Sequence, residues 1–341
     1  MALNYSKIDV RGQVLEEVME DLIFLNDTLG KGYVDINEDI KANTIITEAT
    51  ASPILTAYAS GAKSATGSLA AFDYTITPTK VQFYDEYDPE TLRFSRFKRD
   101  MQPGAFNILS NEFERIMIGG VYAKEQSREL EVNFWSGITA TTKAAIAAAG
   151  TASYTSTQLT KVAALTAGQV DGVFAKVLRN DINDTLTAGK GSFINVSGTA
   201  SATATNIKDI FDLIYASIPA GFINNKLGVA HIYVPESWKS LINIFNNNPE
   251  NFKFAFETNG ALGADTEYYF NGLRICFVPF PENTVYVNSP KFVTWNTDLA
   301  SDNSFIESDV IANNRKDRFY WSVMTLAAHI SKQQYGVLYT F

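Results

Sequence analysis

Hydrophobic residues recur at two different spacings in the N-terminal part of the chain. Within an N-terminal arm at residues 1–40, apolar side chains between positions 14 and 25 recur at helical spacing, which predicts a short amphipathic helix. Residues 41–83 are instead rich in β-forming side chains, interrupted by a small polar tract at residues 60–68. We predict an extended β-hairpin, which needs another surface for support because isolated hairpins are marginally stable.

A longer helical pattern follows at residues 101–137. Pro103 suits a first helical turn, Gly137 suits a stop, and an apolar stripe lies between them, which predicts a helix over about residues 103–136. About 30 helical residues span roughly 45 Å, which is long for a compact domain. Gly119 and Gly120 lie in the middle, and we predict that they mark a close crossing by the N-terminal arm or a neighbouring strand.

The rest of the chain mixes helices and strands without regular alternation. Residues 138–205 are dominated by Ala, Thr, Ser and Gly, which predicts loops and weak strands around one helix near residues 170–178. Residues 206–300 contain helical and strand patterns, including a buried strand closed by Pro235, and residues 301–341 end in a strand. This order, without an internal repeat, predicts the α+β class.

The charge pattern changes sign after the predicted hairpin. An acidic run is followed closely by a basic run, which suggests salt bridges between subunits, although two solvated faces would give the same pattern. Together with Lys63 in the predicted hairpin tip, the candidate inter-subunit contacts are Asp85, Glu86, Asp88, Glu90, Arg93, Arg96, Lys98 and Arg99.

Candidate catalytic chemistry is sparse. The 341 residues include one cysteine, Cys276, and two histidines, His231 and His329, and all three lie in apolar surroundings that favour structural roles. No HExxH motif, metal-spaced His/Cys set or GxSxG elbow is present, and the glycine-containing tracts at residues 61–68 and 187–192 lack the spacing of a phosphate loop. We predict no catalytic, cofactor or metal site, and a protein that is not an enzyme.

Charge and hydropathy argue against a nucleic-acid-binding protein, a membrane protein and an exported protein. A net charge of −9 disfavours nucleic-acid binding over the whole surface, although it leaves room for a local basic patch. No apolar run approaches the roughly 18 residues that a membrane-spanning helix needs, and the N-terminus lacks the apolar core of a signal peptide. We therefore expect a soluble, non-exported protein without a membrane partner.

Four stretches of the sequence, taken in their order along the chain, resemble a known fold. They lie at residues 105–137, 232–238, 270–279 and 310–341. A long helix ending in Trp-Ser-Gly, a strand–proline–helix step, a Gly-to-Pro strand and a closing strand resemble the Hong Kong ninety-seven-type fold. Tailed-bacteriophage major capsid proteins and encapsulins share that fold. The resemblance covers about residues 41–341. It implies an N-terminal arm (1–40), an extended hairpin loop (41–83), a peripheral domain with the spine helix (84–205), an axial domain (206–300) and a peripheral return (301–341).

The resemblance implies a structural shell subunit. Copies would form hexamers and pentamers of an icosahedral or prolate capsid that encloses double-stranded phage DNA, held non-specifically on the inner face. Implied partners are a separate scaffolding protein, a portal and decoration proteins, and the implied location is the virion, after assembly in the host bacterial cytoplasm. Residues 319–336 contain no carboxylate, so the glutamate that assists cross-linking in some members has no counterpart, and we expect a non-covalently held shell.

Two other functions stay open on sequence alone. An encapsulin-like compartment with cargo enzymes shares the fold, and only the contents of the particle separate it from a phage shell. A β-rich carbohydrate-binding or hydrolytic protein would account for the 16 tyrosines and 23 phenylalanines, and would be a monomer.

Overall fold

A computed structural model of the chain has the predicted α+β architecture, with two β-sheets, a separate two-stranded hairpin and flanking helices. The described residues are 27–52, 68–87, 122–183, 193–224, 227–248, 256–259, 266–298, 305–311 and 314–341.

Helices and strands alternate irregularly along the described chain. The helices are α1 (Asp27–Gly30), α2 (Ala123–Ser136), α3 (Ala140–Ala149), α4 (Ser156–Ala164), α5 (Val173–Asn183), α6 (Ile207–Ser217), α7 (Ala220–Ile223) and α8 (Trp238–Asn247). The strands are β1 (Asp35–Asn37), β2 (Thr44–Ser52), β3 (Ser68–Ile76), β4 (Thr79–Tyr87), β5 (Ile194–Ser197), β6 (His231–Pro235), β7 (Phe256–Asn259), β8 (Glu267–Phe270), β9 (Leu273–Val278), β10 (Thr284–Asn288), β11 (Val293–Asn296), β12 (Phe305–Ile311), β13 (Asn314–Ile330) and β14 (Val337–Thr340).

The first sheet, which we call sheet I, is built around the 17-residue strand β13. This strand pairs antiparallel with β12, β4 and β11 along its length, and β1 adds to β11 in parallel. One face packs on α2, where Gln126 donates to Ser322 Oγ at 2.6 Å and accepts from the Tyr320 hydroxyl at 2.7 Å. Because side chains alternate along a strand, the other face points away from α2, and Tyr84 there is 55% exposed.

The second sheet, sheet II, has seven strands in the order β5–β14–β10–β6–β9–β8–β7. Every residue of the central strands β6 and β10 is buried, which fits the apolar centres of both strands, at residues 232–234 and 285–287. The helices α6 and α8 pack into the same core through Phe211 and Trp238. Phe211 also contacts Phe256 and Phe270 of the sheet, with ring centroids 4.9 and 5.1 Å away.

The predicted hairpin is present, and its base, which is the end next to sheet I, packs against β13. Strands β2 and β3 pair antiparallel with each other over their full lengths. Near the base, Ile76 is buried with Ile40 and Ala327, whereas Ile45 is 64% exposed. Strand β4 begins inside the predicted range of 41–83 and pairs with β13 in sheet I.

The long helix ends where the sequence predicted, but for a different reason. Residue 137 follows α2 with a φ of −59°, which any residue can adopt. Glycine is required by contact instead, because a Cβ on Gly137 would lie 2.2 Å from the Asn133 carbonyl oxygen. A Cβ on Gly172 would lie 2.5 Å from the carbonyl oxygens of Asn133 and Phe134. The segment before α5 therefore crosses the end of α2 at backbone contact, and Gly172 N–H donates to the Gly137 carbonyl at 2.8 Å.

Residues 138–205 differ most from the sequence-based expectation of loops and weak strands. The predicted helix is present as α5, but two further helices precede it: α3, in the nearly featureless stretch at residues 139–152, and α4 after it. Alanine is the strongest helix former, and its small side chain leaves no amphipathic pattern to recognise. Threonine caps start both helices, since Thr139 and Thr155 accept N–H groups through their hydroxyls, and Gln158 completes a capping box in α4.

The two sheets also cross the predicted domain boundaries. Strand β11 falls in the predicted axial range of 206–300 but pairs in sheet I, and the last strand, β14, falls in the predicted peripheral return but pairs in sheet II. Both assignments depend on pairing between strands that are far apart in the sequence, which local patterns do not encode.

Alanine at residue 172 should destabilise the fold. In Gly172→Ala the new methyl group overlaps two backbone carbonyls of α2, which cannot move without disrupting the helix, so we expect the free energy of unfolding to fall by about 3 kcal/mol. Gly168→Ala is the matched control in the same loop, because its nearest atom would be the Asn133 side-chain oxygen at 2.8 Å, which can shift without moving the helix backbone. Chemical denaturation of dispersed subunits measures both, and equal stability of the two variants would contradict the backbone contact.

Candidate functional site

The C-terminal end of α2 is the place where both sheets meet. Phe134 stacks on Trp295 of sheet I, with ring centroids 4.6 Å apart. Trp135 contacts Tyr233 of sheet II at 4.8 Å and Phe280 at 5.3 Å. All five rings are buried, and we call this cluster the aromatic junction. It fixes the position of each sheet relative to the helix.

The segment at residues 27–34, which we call the strap, is hydrogen-bonded to the same helix end. The Thr28 N–H donates to Glu131 Oε1 at 2.9 Å, and the Thr28 hydroxyl donates to the same carboxylate. Trp135 Nε1 donates to Thr28 Oγ1 at 2.7 Å. Burial raises the pKa of Glu131, the hydrogen bonds from Thr28 oppose this, and the Asp27 carboxylate nearby raises it further. The strap thus supplies the partners that a buried carboxylate requires.

The far end of the strap is attached to sheet II. The Tyr233 hydroxyl donates to the Tyr33 carbonyl at 2.7 Å, and Arg274 Nη1 donates to the Lys31 carbonyl at 2.9 Å. The Arg274 guanidinium also lies over the Tyr33 ring, 5.3 Å from its centroid, and pairs with Glu267. Because β1 follows directly and pairs in sheet I, the strap connects α2 with both sheets.

A cavity of about 380 Å³ lies beside the strap, and its charged groups are already paired. Arg274 pairs with Glu267, and Lys31 pairs with Asp27 at 2.7 Å. Within the described ranges, no group of three or more His, Cys, Asp and Glu side chains is placed to hold a metal ion. The arrangement is suited to joining elements rather than to acid–base chemistry.

None of the helices in the described residues has the length and apolar character needed to cross a membrane.

The residues with reactive side chains lie in the buried strands. Burial raises the pKa of the Cys276 thiol, which keeps it protonated and unreactive. Burial and, to a lesser extent, the nearby Arg274 guanidinium lower the pKa of His231 to about 4. Burial and the Lys176 ammonium lower the pKa of His329 to about 4. Both imidazoles are therefore neutral at pH 7 and pack as part of the strands.

Two of the predicted inter-subunit residues lie in the described part of the chain. Asp85 and Glu86 are exposed on β4. Within the subunit, Asp85 accepts from the Tyr122 hydroxyl at 2.7 Å, and Glu86 accepts from the Tyr84 hydroxyl at 2.5 Å. Their contact with another copy stays a prediction. Outside the described residues lie the other predicted positions, which are Lys63, Asp88, Glu90, Arg93, Arg96, Lys98, Arg99, Gly119 and Gly120.

Sequence reasoning missed the strap and the aromatic junction. Local signals existed, namely the adjacent apolar residues Tyr33 and Val34 and the Trp135 step at the helix end. Their partners, however, are distant: Tyr233 lies 200 residues from Tyr33, and Glu131 lies 103 residues from Thr28. No local pattern identifies such pairs.

Comparison with known proteins shows that the chain is similar to solved structures in fold but has little sequence identity with them. No family model and no curated protein matches the chain. Among solved structures, it is similar to the capsid of a native GTA particle, with 13% identity, a TM-score of 0.54 and coverage of 98% of this chain and 94% of that one. The capsid of Myoviridae phage XM1 is 9% identical, with a TM-score of 0.52 and coverage of 92% of this chain and 91% of that one. The structure from Mycobacterium phage Ogopogo is 11% identical, with a TM-score of 0.51 and coverage of 94% of this chain and 91% of that one.

At these identities the likeness establishes the fold. The class is the α+β fold of capsid shell proteins. Its particular form is the Hong Kong ninety-seven-type fold, so the fold expected from the resemblance in sequence is confirmed.

The two buried histidines should make the fold sensitive to acid. An unfolded histidine binds a proton near pH 6.5, whereas His231 and His329 bind one only near pH 4. Between these values the unfolded chain holds the extra protons, so the free energy of unfolding should fall as the pH falls from about 6.5 to 4, by up to about 3 kcal/mol per histidine. Urea denaturation of dispersed subunits at several pH values measures this slope.

The control for acid sensitivity is the double variant His231→Gln/His329→Gln. It retains every carboxylate, so its slope between pH 6.5 and 4 should be shallower than that of the parent by the contribution of the two imidazoles. A double variant with the slope of the parent would contradict the assignment of two neutral, buried histidines.

Proposed function

We propose that this chain is the structural subunit of a phage capsid and not an enzyme. Copies assemble into hexamers and pentamers of an icosahedral or prolate shell that encloses double-stranded DNA. The observation that carries this proposal is the shared fold along 98% of this chain and 94% of the GTA capsid chain, at a TM-score of 0.54. A likeness over almost the full length of both chains leaves little room for an additional catalytic domain in the aligned part.

The hairpin supports assembly because a single copy leaves it without a supporting surface. Strands β2 and β3 pair only with each other among the described strands. Nine residues in a strand extend about 30 Å, and a two-stranded ribbon of that length is marginally stable by itself. Ile45, which is 64% exposed, adds an apolar side chain that water solvates poorly. A neighbouring copy supplies the missing surface.

The domain roles follow from the proposed assembly. Sheet II with α6 and α8 corresponds to the axial domain, which meets its copies around each capsomer axis, and sheet I with α2 corresponds to the peripheral domain. The strap is part of the N-terminal arm at residues 1–40, and the arm also clasps another subunit. Lys63 and the charged residues between Asp85 and Arg99 are proposed to form salt bridges between copies, and Gly119 and Gly120 a close crossing of the long helix.

The partners follow from the same proposal. A separate scaffolding protein guides assembly in the host bacterial cytoplasm, a portal occupies one vertex, decoration proteins bind the outside, and DNA lies non-specifically against the inner face. After assembly, the protein is part of the virion. The net charge of −9 is compatible with a wall that encloses DNA without gripping it, although it does not argue for one by itself.

Imaging of the purified chain, alone and with neighbouring gene products, tests the function. We expect closed shells by negative-stain microscopy, built from subunits that run as one band after boiling in detergent. Particles from lysates that contain nuclease-protected DNA would support the function of a phage shell. Particles that contain a cargo enzyme would instead support an encapsulin-like compartment. A monomer at every concentration would contradict a shell subunit.

Shortening the hairpin should abolish assembly without unfolding the subunit. Removing residues 48–72 and joining Thr47 to Asp73 through Asn-Gly keeps the register and the buried Ile76. We expect the melting temperature to stay within about 2 °C of the parent value, because the removed residues of β2 and β3 pair only with each other among the described strands. Shells should be absent at concentrations where the parent forms them.

The control for the shortened hairpin is Asp73→Asn, which changes one exposed side chain and keeps the hairpin at full length. It should assemble like the parent. If the shortened chain also assembles at the parent concentration, the hairpin does not support the shell.

A further inference from the structure

The strap covers a carboxylate that has no cationic partner in the described part of the chain. Glu131 is 9% exposed at the end of α2, and the groups that donate to it there are the N–H and the hydroxyl of Thr28. No lysine or arginine among the described residues forms an ion pair with it. Burying a charge is costly unless a counter-charge or hydrogen bonds replace the lost water, and here the strap supplies those hydrogen bonds.

The charged groups that face Glu131 are acidic and make its ionised form less favourable. Asp27 belongs to the strap, and Glu236 follows directly after β6, so carboxylates approach from two other elements. Lys31 of the strap pairs with Asp27 at 2.7 Å. The phenol of Tyr33 also faces Glu131, and it stays protonated because burial raises its pKa. The joint between strap and helix therefore contains a buried carboxylate among like charges.

The cover provided by the strap favours the protonated form of Glu131. Burial raises the pKa of this carboxyl above its usual value of about 4.5, the Thr28 hydrogen bonds oppose this, and the two neighbouring carboxylates raise it further. When the strap moves away, water reaches the carboxyl and returns its pKa toward the usual value. Docking of the strap is thus coupled to proton uptake. The stabilisation by the proton is fully present below about pH 4.5 and is lost as the pH rises through the raised pKa.

We propose that Thr28 and Glu131 form a proton-controlled latch, which holds the strap more firmly when Glu131 is neutral than when it is charged. A neutral carboxyl still accepts the N–H and the hydroxyl of Thr28 through one oxygen, so both states keep these hydrogen bonds. The latch lies within a single chain, and the inference does not depend on a shell. In the proposed shell, the same latch sets how firmly each subunit holds its own N-terminal arm, of which the strap is a part.

The far end of the strap contains a second titratable group, which the test must exclude. His231 in β6 lies against the backbone of Tyr33, and burial and the Arg274 guanidinium lower the pKa of this imidazole to about 4. All samples therefore carry the double substitution His231→Gln/His329→Gln, and we call this chain the background. Histidine protonation then plays no part between about pH 8 and pH 4.5.

Two tryptophans report the opening of the strap and the unfolding of the whole chain separately. The indole N–H of Trp135 donates to Thr28 Oγ1 at 2.7 Å, so its NMR signal changes when the strap moves away. Trp238 is buried in the core of sheet II and reports global unfolding. A urea series on dispersed subunits gives a midpoint for each signal. The strap midpoint should lie below the global one and should shift to higher urea as the pH falls from about 8 to 4.5.

Variants of the latch separate the charge of Glu131 from its role as a hydrogen-bond acceptor. Glu131→Gln keeps an oxygen that accepts from Thr28 but removes the charge, so its strap midpoint should exceed that of the background at about pH 8 and should lose the dependence on pH. Thr28→Val removes the hydroxyl and should lower the strap midpoint, whereas Thr28→Ser keeps both donors and should behave like the background. The matched control is Glu129→Gln, an exposed carboxylate on the same helix, which should leave the strap midpoint unchanged.

Three results overturn the inference. The first is a strap midpoint of the background that does not change with pH, which requires no substitution in the latch. The second is a Glu131→Gln midpoint that lies below the background and still shifts with pH, since the charge of Glu131 would then play no part. The third is loss of both indole signals at one midpoint, since the strap would then not open separately. None of them bears on shell formation, which imaging tests by itself.

Discussion

The packing of Phe134 and Trp135 against both sheets is the contact on which the rest of the structure depends. These two adjacent side chains reach Trp295 in sheet I and Tyr233 in sheet II. Burying an aromatic side chain contributes about 1.5–3 kcal/mol, so two of them in one helical turn supply a substantial part of the contact between the halves of the molecule. The backbone of Gly137 sits in the same turn, where a side chain would push the segment before α5 away from the helix.

The position of the hairpin follows from this junction through the strap. Trp135 donates to Thr28, the strap continues to sheet II through Tyr33, and β1 then adds to sheet I immediately before the hairpin begins. The hairpin itself is anchored by Ile76, which packs against Ala327 of β13 in sheet I. The described part of the hairpin, two nine-residue strands of about 30 Å each, is thus held by contacts at its base.

The hairpin is the element that a single copy supports least. Strands β2 and β3 pair only with each other among the described strands, and Ile45 is 64% exposed. In the proposed shell, a neighbouring copy covers this ribbon. Shells use this principle, because many modest contacts repeated by symmetry hold a large assembly while each remains weak enough to rearrange during assembly.

The sequence by itself determined the α+β class, the hairpin, the end of the long helix and the lack of known catalytic motifs, since each of these depends on local spacing or residue type. The tertiary structure decided that alanine-rich residues 140–149 form a packed helix, that β14 joins sheet II, and that Gly137 is needed for backbone contact and not for its backbone angles. Each of these results depends on residues that are far apart in the chain. Hydrophobic periodicity records which face of an element is buried, but it does not record the element against which that face packs.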